Sequence, residues 1–439
     1  MLIAHLADLH LGYRAYHRVL PGGINARERD VAMAFRAALD KIIEIRPELI
    51  VVAGDVFHTV RPSNAAIADA FRQFSRLRMA LPQSQVVIIA GNHDSPRSAE
   101  TGSILRLFAE IPGIHVMDQD ARVVHLEALQ ASVCGVPHAF LAGGQSRIPD
   151  PDPNANVNVL IAHGDVHGRG LEAKLRYISE YGGAPIDAQE IRPERWDYVA
   201  LGHYHVVTEL TPNMWYAGGI ERTSTNVWEE KESKGFLVYD TDARKAEFHA
   251  VETRPVIDLR RFSALYEPTA AEIRAMHQIG NGQSTELDVD VPPAEPNGNG
   301  QKPTPAAPPP LYLDAAHIDA RIRKLLDGIK GGIDGKIVRL VITDIPRDLL
   351  RELDHRTLRD YRARALHFHL DARRPETRRV GSSTVEGRRR TLEQEVEAFI
   401  TQWRPTTSDI DNTRLLTLAH LYLQEARGLE PRAEDEPVE

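Results

Sequence analysis

The 439-residue chain is nearly devoid of cysteine, with Cys134 alone. One thiol excludes an internal disulfide framework and leaves no thiolate cluster for structural zinc. A reducing, cytoplasmic setting is therefore expected. No stretch approaches the roughly 20 apolar residues that cross a bilayer, so no membrane association is expected. The opening "MLIAHLADLHLG" lacks the basic start and long apolar run of a secretory leader. An excess of positive charge is missing too: 53 Lys and Arg stand against 62 Asp and Glu, a formal net charge of −9. That balance argues against a generic nucleic-acid coat and leaves local basic surfaces open. Hydrophobic content of 42% and charged content of 26% suit a globular protein, and the length predicts more than one domain. What the chain has in quantity is histidine, 19 in all, and their positions carry the functional reading.

The first two hundred residues repeat a simple grammar. "LIAHLAD", "ELIVVAGD", "QVVIIAGNHD", "NVLIAHGD" and "DYVALGHYH" are apolar runs that end in polar residues. Continuous runs of this kind predict strands buried on both faces. Helical patterns lie between the first three. One is "RERDVAMAFRAALDKIIEI", with Val31, Phe35, Leu39, Ile42 and Ile43 at helical spacing. The other is "PSNAAIADAFRQFSRLRMAL", with Ser63 as its N-cap. Together they predict a layered α/β domain. From Trp215 to about residue 251 shorter strands, "GFLVYD" and "AEFHAV", predict an antiparallel sheet packed beside the first strands.

A second α/β unit runs from residue 253 to 375, with "HIDARIRKLLDGI" and "DLLRELDHRTLRDYRA" as helices and "KIVRLVITDI" and "ALHFHLDA" as strands. Residues 280–310 interrupt it. That segment is rich in Pro, Gly and Asn, buries too little apolar surface to offset chain ordering, and is predicted to be disordered. Two helices are expected within 388–430. The first has Thr391 and Gln394 in capping-box spacing and a stripe of Leu392, Val396, Phe399, Ile400 and Trp403. The second is "SDIDNTRLLTLAHLYLQEARG".

Each of the five apolar runs ends in reactive side chains. Asp8 and His10 follow the first, Asp55 and then His58 the second, Asn92 and His93 the third, His163 the fourth, and His203 and His205 the fifth. Ligands of open α/β sheets bind at the carboxyl ends of strands, so five such strands in one sheet would gather these groups. Two aspartates, one asparagine and His10, His163, His203 and His205 make a nitrogen and oxygen donor set without sulfur. It suits Mn, Fe or Zn better than soft metals. Seven groups exceed one ion's ordinary coordination and suffice for two if one carboxylate bridges. Paired ions about 3.5–4 Å apart activate water and stabilise both oxygens in phosphoryl hydrolysis. Without cations such a cluster would be poorly compensated. Gly54, Gly91, Gly164 and Gly202 flank the ligands and permit close backbone approach. His203 and His205, two residues apart, would point the same way from a strand-like backbone, one toward each ion.

Taken in order, "DLH", "GDVFH", "GNHD", "AHGD" and "GHYH" resemble the motifs of the calcineurin-like metallophosphoesterase superfamily. "GDVFH" with "GNHDS", and the early "LADLHLG", are most similar to its DNA-repair branch, the SbcD-type exonuclease subunits. The resemblance covers the first half of the chain. It implies a four-layer α/β/β/α sandwich over residues 1–252, a smaller α/β capping domain over 253–375, and C-terminal helices. It implies one ion held by Asp8, His10, Asp55 and His205, and a second held by Asp55, Asn92, His163 and His203. Manganese is the usual metal of this branch. His93 would protonate the leaving oxygen or steady the transition state, and His58 would help position the substrate phosphate or leaving group. The implied activity is exonucleolytic hydrolysis of DNA phosphodiesters in double-strand-break repair, with endonuclease activity left open. The implied partners are DNA, a second copy of the chain, and an SbcC-type SMC-like ATPase on whose coiled-coil base the helices of 388–430 would dock. Two alternatives stand beside it. A small-molecule metallophosphatase or phosphodiesterase would need no cap or basic segment. A non-catalytic DNA-tethering scaffold is disfavoured by the intact ligand set.

Basic residues crowd the end of the second unit. Arg373, Arg374, Arg378, Arg379, Arg388, Arg389 and Arg390 are candidates for DNA phosphate contacts, with a solvated helix face and loop as the competing reading. His5, His167, His367 and His369 read as structural, the last two sharing one face of a strand. Asp94 reads as a brace for its loop.

Overall fold

Eighteen strands are present among the residues that the computed structural model describes: 1–96, 102–144, 148–168, 170–171, 182–266, 311–375, 396, 400, 415, 416, 418 and 419. In chain order they are β1 (Leu2–Leu6), β2 (Leu49–Ala53), β3 (Gln85–Ile89), β4 (Ile114–Met117), β5 (Arg122–Leu126), β6 (Ala131–Val136), β7 (Val157–His163), β8 (Asp165–His167), β9 (Pro185–Asp187), β10 (Tyr198–Gly202), β11 (Thr208–Thr211), β12 (Met214–Tyr216), β13 (Gly235–Asp240), β14 (Lys245–Ala250), β15 (Val256–Asp258), β16 (Phe262–Ser263), β17 (Ile337–Thr343) and β18 (His367–Ala372). One six-stranded sheet has the order β14–β13–β1–β2–β3–β4, and a second has β11–β12–β10–β7–β6–β5.

Alternation within each apolar run decides the layering. In β2 every residue is buried, yet its two faces meet different partners. Ile50 and Val52 pack with Phe35 and Leu39 of α1 (Ala26–Ile45) and Phe74 and Leu77 of α2 (Asn64–Ala80). Leu49, Val51 and Ala53 pack with Val133, Val159, Ile161 and Ala200 of the second sheet. On that sheet's far side Leu160, Ala162, Val199 and Leu201 pack with Leu141, Ile191 and Trp196. Helices therefore cover both outer faces, and the four-layer α/β/β/α arrangement follows. The caps are local. Asn25 accepts a hydrogen bond from the Arg27 amide at 2.9 Å, and Ser63 accepts one from the Ala66 amide at 3.2 Å.

The antiparallel strands expected beside the first strands are hydrogen-bonded into the first sheet and form no sheet of their own. β13 instead pairs antiparallel with β1, Leu2 opposite Asp240, and β14 pairs with β13. The reason lies in β13's burial on both faces. Phe236 and Val238 join the core under α1, while Leu237 and Tyr239 point between the sheets.

Residues 256–372 carry a core of their own. β17 is flanked by β15 and β16 on one edge and β18 on the other. Ile318, Ile322 and Leu326 of the helix Ala315–Asp327 pack on Val338, Leu340 and Ile342 of β17. A seam of Ala26, Val227, Ile337 and Leu366 joins this module to the sandwich. His367 and His369 share one face of β18, their rings 6.1 Å apart. His367 stacks on Tyr16 at 4.0 Å, and His369 lies 6.4 Å from Trp228. Met1–Pro375 make one compact unit and Glu376–Glu439 another. In the latter, residues 396, 400, 415, 416, 418 and 419 are helical. Residues 280–310, Thr391, Leu392, Gln394, Phe399 and Trp403 lie outside the described residues. Among those described, no helix is long and apolar enough to cross a membrane.

Candidate metal centre

The parallel strands β1, β2 and β3 run in register, with Leu6 opposite Val52 and Val52 opposite Ile88. Their carboxyl ends therefore finish at one edge. In the second sheet β7 and β10 finish together, His163 opposite Gly202. The expectation of one five-stranded source is thus corrected: three strand ends come from one sheet and two from the other. Contacts across the gap join them. The His163 ring nitrogen Nδ1 lies 2.7 Å from the Ala53 carbonyl, and the His203 amide donates to Asp8 Oδ1 at 3.0 Å. Gly54 and Gly91 allow this closeness, since a Cβ on Gly54 would fall 2.3 Å from His163 Nδ1 and one on Gly91 2.1 Å from Asp55 Oδ1.

The gathered side chains form two buried groups. The ligand atoms of Asp8, His10 and His205 all lie within 4.8 Å of one another, as do those of Asp55, His163 and His203. Asp55 Oδ2 stands between them, 3.8 Å from His10 Nε2 and 3.4 Å from His163 Nε2. Asn92 Oδ1 belongs with the second group, 2.9 Å from His163 Nε2 and 3.2 Å from His203 Nδ1. His203 and His205 do go to different groups, but not by strand alternation. β10 ends at Gly202, and His203 has a φ of +99°. Asp8, His10 and Asp55 also sit at positive φ, between 47° and 52°. Such backbone costs of order 1–3 kcal/mol per residue and persists where surrounding structure over-determines it.

The chemistry of these groups fits divalent cations. With Nδ1 donating to the Ala53 carbonyl, a neutral His163 turns a lone pair on Nε2 toward the Asn92 oxygen, acceptor against acceptor. His10 Nε2 and His205 Nε2 face each other at 3.0 Å. Asp55 Oδ2 is buried with no hydrogen-bond partner. Lone pairs converge here, and the donor set is nitrogen and oxygen only. The titration of the metal-free groups shows the same demand for positive charge. Burial disfavours a charged His163, yet the Asp55 carboxylate, with Asp8 behind it, outweighs burial and raises the ring to about 9. Burial pushes Asp8 up to about 6 against the pull of His205. Burial opposes ionisation of Asp55 too, but His163 holds it well below the usual carboxylate range. Burial, then His163, push His203 down to about 3.

Residues 1–207 match the model of the calcineurin-like phosphoesterase family. That match covers just under half of the chain. Among curated proteins, the DNA double-strand break repair protein Mre11 of Methanocaldococcus jannaschii is 26% identical over 261 residues, 57% of this chain and 66% of that protein. The protein of the same name from Methanococcus maripaludis is 25% identical over 257 residues, 55% of this chain and 63% of the relative. That of Methanosarcina mazei is 23% identical over 373 residues, 82% of this chain and 55% of the relative. The chain thus spans between about half and two thirds of the length of these relatives.

At the candidate centre, His58 and His93 are half-buried, as is Asn92, whereas the aspartates and the other four histidines of the two groups are buried. The His93 amide donates to Asp55 Oδ1 at 2.9 Å, and its Nδ1 lies 2.7 Å from the His58 carbonyl. The two rings stack 5.2 Å apart, and the His93 ring is edge-on to His10 at 4.9 Å. Asp94 accepts amide hydrogen bonds from Val56, Phe57 and Gly91 at 2.9–3.1 Å, a brace beneath the metal-side loops. Burial, then the Asp55 charge, push it up to about 7. His5 is buried against the Tyr198 hydroxyl at 2.8 Å, and His167 is exposed on β8. Arg373 and Arg374 are exposed, and Arg373 pairs with Asp371 at 2.8 Å. Arg378, Arg379, Arg388, Arg389 and Arg390 lie outside the described residues.

Two neighbours escaped the sequence reading. His138 follows β6, with Nε2 2.9 Å from the Gly182 carbonyl and its ring 6.5 Å from that of His163. "VCGVPH" has the same grammar as the other runs, an apolar strand ending in histidine, and that signal was available. Asp165 stands 3.6 Å from His203 Nε2. It lies inside "AHGD", but nothing in its spacing points to a histidine 38 positions on.

Proposed function

We propose that this chain is a two-metal phosphodiesterase that degrades DNA as an exonuclease in double-strand-break repair, with endonuclease action left open. The observation that carries the reading is the pair of abutting ligand groups sharing Asp55, with half-buried His93 beside them. The DNA substrate is supported by the break-repair name of the three relatives.

Asp8, His10, Asp55 and His205 would hold one ion, and Asp55, Asn92, His163 and His203 the other, with manganese the metal we favour. Such a pair supplies Lewis-acid stabilisation of phosphoryl oxygens and water of lowered pKa. The chain's own residues do the rest. With Nδ1 engaged by the His58 carbonyl, His93 exchanges its proton with the departing sugar oxygen through Nε2. The hydrogen bond from its amide to Asp55 keeps that ring in register with the ligand groups. His58, stacked on His93 and edge-on to Tyr13, positions the scissile phosphate.

Residues 253–375 act as a cap over the phosphoesterase domain, with Arg373 and Arg374, followed by Arg378, Arg379, Arg388, Arg389 and Arg390, meeting DNA phosphates. The segment 388–430 docks on an SbcC-type SMC-like ATPase, and the working form is a homodimer in the cytoplasm. The test is digestion of linear duplex DNA by the purified chain with Mn²⁺. His93→Ala is expected to slow it by about 10²–10⁴-fold while the bound metal is unchanged. Turnover of a small phosphomonoester without DNA cleavage would replace the reading with a small-molecule phosphatase. DNA retention without hydrolysis would replace it with a tethering scaffold.

A further inference from the structure

We propose that Asp165 is a positioning residue: its carboxylate orients His203 toward the second ion and sets that group's affinity apart from the first's. This rests on the two-metal reading above. His203 presents Nδ1 to Asn92 Oδ1 at 3.2 Å, so Nδ1 is its ligand-side nitrogen. A neutral imidazole that ligates through one nitrogen carries its proton on the other. That other nitrogen, Nε2, is buried without a hydrogen-bond partner and lies 3.6 Å from Asp165 Oδ1.

The backbone that carries this side chain is pinned. The Asp165 amide donates to the Ala184 carbonyl at 2.9 Å. The buried Tyr216 hydroxyl accepts from the Val166 amide at 3.0 Å and donates to the Gly164 carbonyl at 2.8 Å, clamping the residues on either side of Asp165. Gly183 then lies directly over the pair. A Cβ there would come within 2.3 Å of Asp165 Oδ2 and 2.5 Å of His203 Nε2. Bare backbone thus covers the carboxylate and imidazole.

The first group is built differently. His205 Nδ1, the nitrogen away from His10, is buried with no hydrogen-bond partner among the described residues. Carboxylates behind a ligating histidine fix its ring and raise its basicity, and losing one typically costs metal affinity by about 10–100-fold. Asp165 faces His203, and the other ligand that feels its charge, His163, belongs to the same group, so its removal should be felt at one ion and not at the other.

The experiment is a Mn²⁺ titration of the metal-stripped full chain, with free Mn²⁺ read from its electron paramagnetic resonance signal. Wild type should take up two ions. Asp165→Ala should weaken one of them about 10–100-fold and leave the other unchanged, with an unaltered melting temperature in the metal-free protein. Asp165→Asn should recover part of the loss, because its carbonyl oxygen still offers an acceptor to the Nε2 proton; it also serves if the alanine variant does not fold. In a His203→Ala background, Asp165→Ala should add no further loss, since the carboxylate acts through that ring. Equal weakening of both ions, no weakening of either, or additive losses in that background would overturn the inference. Uptake of fewer than two ions by wild type would overturn the two-metal reading and this inference with it.

Discussion

Two buried polar clusters in the first unit are built in opposite ways. Beneath the seam between the sandwich and the module of residues 256–372, Arg27 is 1% exposed and lies 2.8 Å from Asp30 and 3.4 Å from Glu221. Arg254 grips both Asp30 oxygens at 2.5 Å. Two guanidinium groups meet two carboxylates, donors against acceptors. At the candidate metal centre two carboxylates meet an amide oxygen and imidazoles, of which His163 is held protonated by Asp55 while burial pushes His10 and His203 down, so one cation stands against two carboxylates. The first cluster supplies both signs of charge from within the fold. The second is a charge deficit held in place, at the expense of four ligand residues in left-handed backbone. Buried ionic groups serve structure when the protein supplies both signs, and they serve chemistry when it leaves one short.

Three measurements would break or sharpen this contrast. The largest effect belongs to the complete cluster. Asp30→Ala should destabilise the metal-free protein by about 3–5 kcal/mol, because it strands buried guanidinium charge. Asp55→Asn removes a charge whose protein cation is a single protonated imidazole, His163, so it should destabilise the metal-free protein less than Asp30→Ala does, while binding of both ions is lost. Denaturant melts of the two variants side by side decide the matter, and equal destabilisation would erase the distinction.

Next in size is metal linkage. Mn²⁺ at about 100 times its dissociation constant should add about 2.7 kcal/mol to stability. Chelator should abolish that increment in wild type, and Asp55→Asn should lack it. Asp30→Ala, though less stable overall, should gain the same increment as wild type in thermal scans with and without metal.

The smallest effect concerns His5, a buried histidine that belongs to neither cluster. Burial pushes it down to about 3, so the fold keeps it neutral. The unfolded chain takes up that proton near pH 6.5, so below this value it binds more protons than the folded one, and stability falls with pH. His5's contribution is fully present above pH 6.5 and is lost progressively toward pH 3. The loss reaches about 2 kcal/mol by pH 5 at 1.36 kcal/mol per unit. His5→Gln should flatten the stability-versus-pH curve by that amount over that window. An unchanged slope would mean that the imidazole is not held neutral.

Much of this was legible beforehand, and the reasons are specific. The runs "LIVVA" and "VVIIA" read as doubly buried strands, because each face of those strands meets an apolar layer. The α2 start was legible because Ser63 caps through its own side chain, a contact three residues long. All seven candidate ligands were legible because each terminates or closely follows such a strand. The assignment of β13 to the edge of the first sheet was not, since an apolar strand carries no label for its neighbour. Nor was the division of the ligands between two sheets, nor the turn that parts His203 from His205. Asp165 was missed for the same reason: its meaning comes from a contact across 38 residues.

What the sequence determined alone is therefore local: strands, caps, and the donor types placed at strand ends, because periodicity and short-range hydrogen bonding are written in neighbouring residues. The tertiary structure alone decided which donors face one another, which carboxylate stands between two groups, and which histidine has a second carboxylate behind it. Those are distances between residues far apart in the chain, fixed only when two sheets pack face to face.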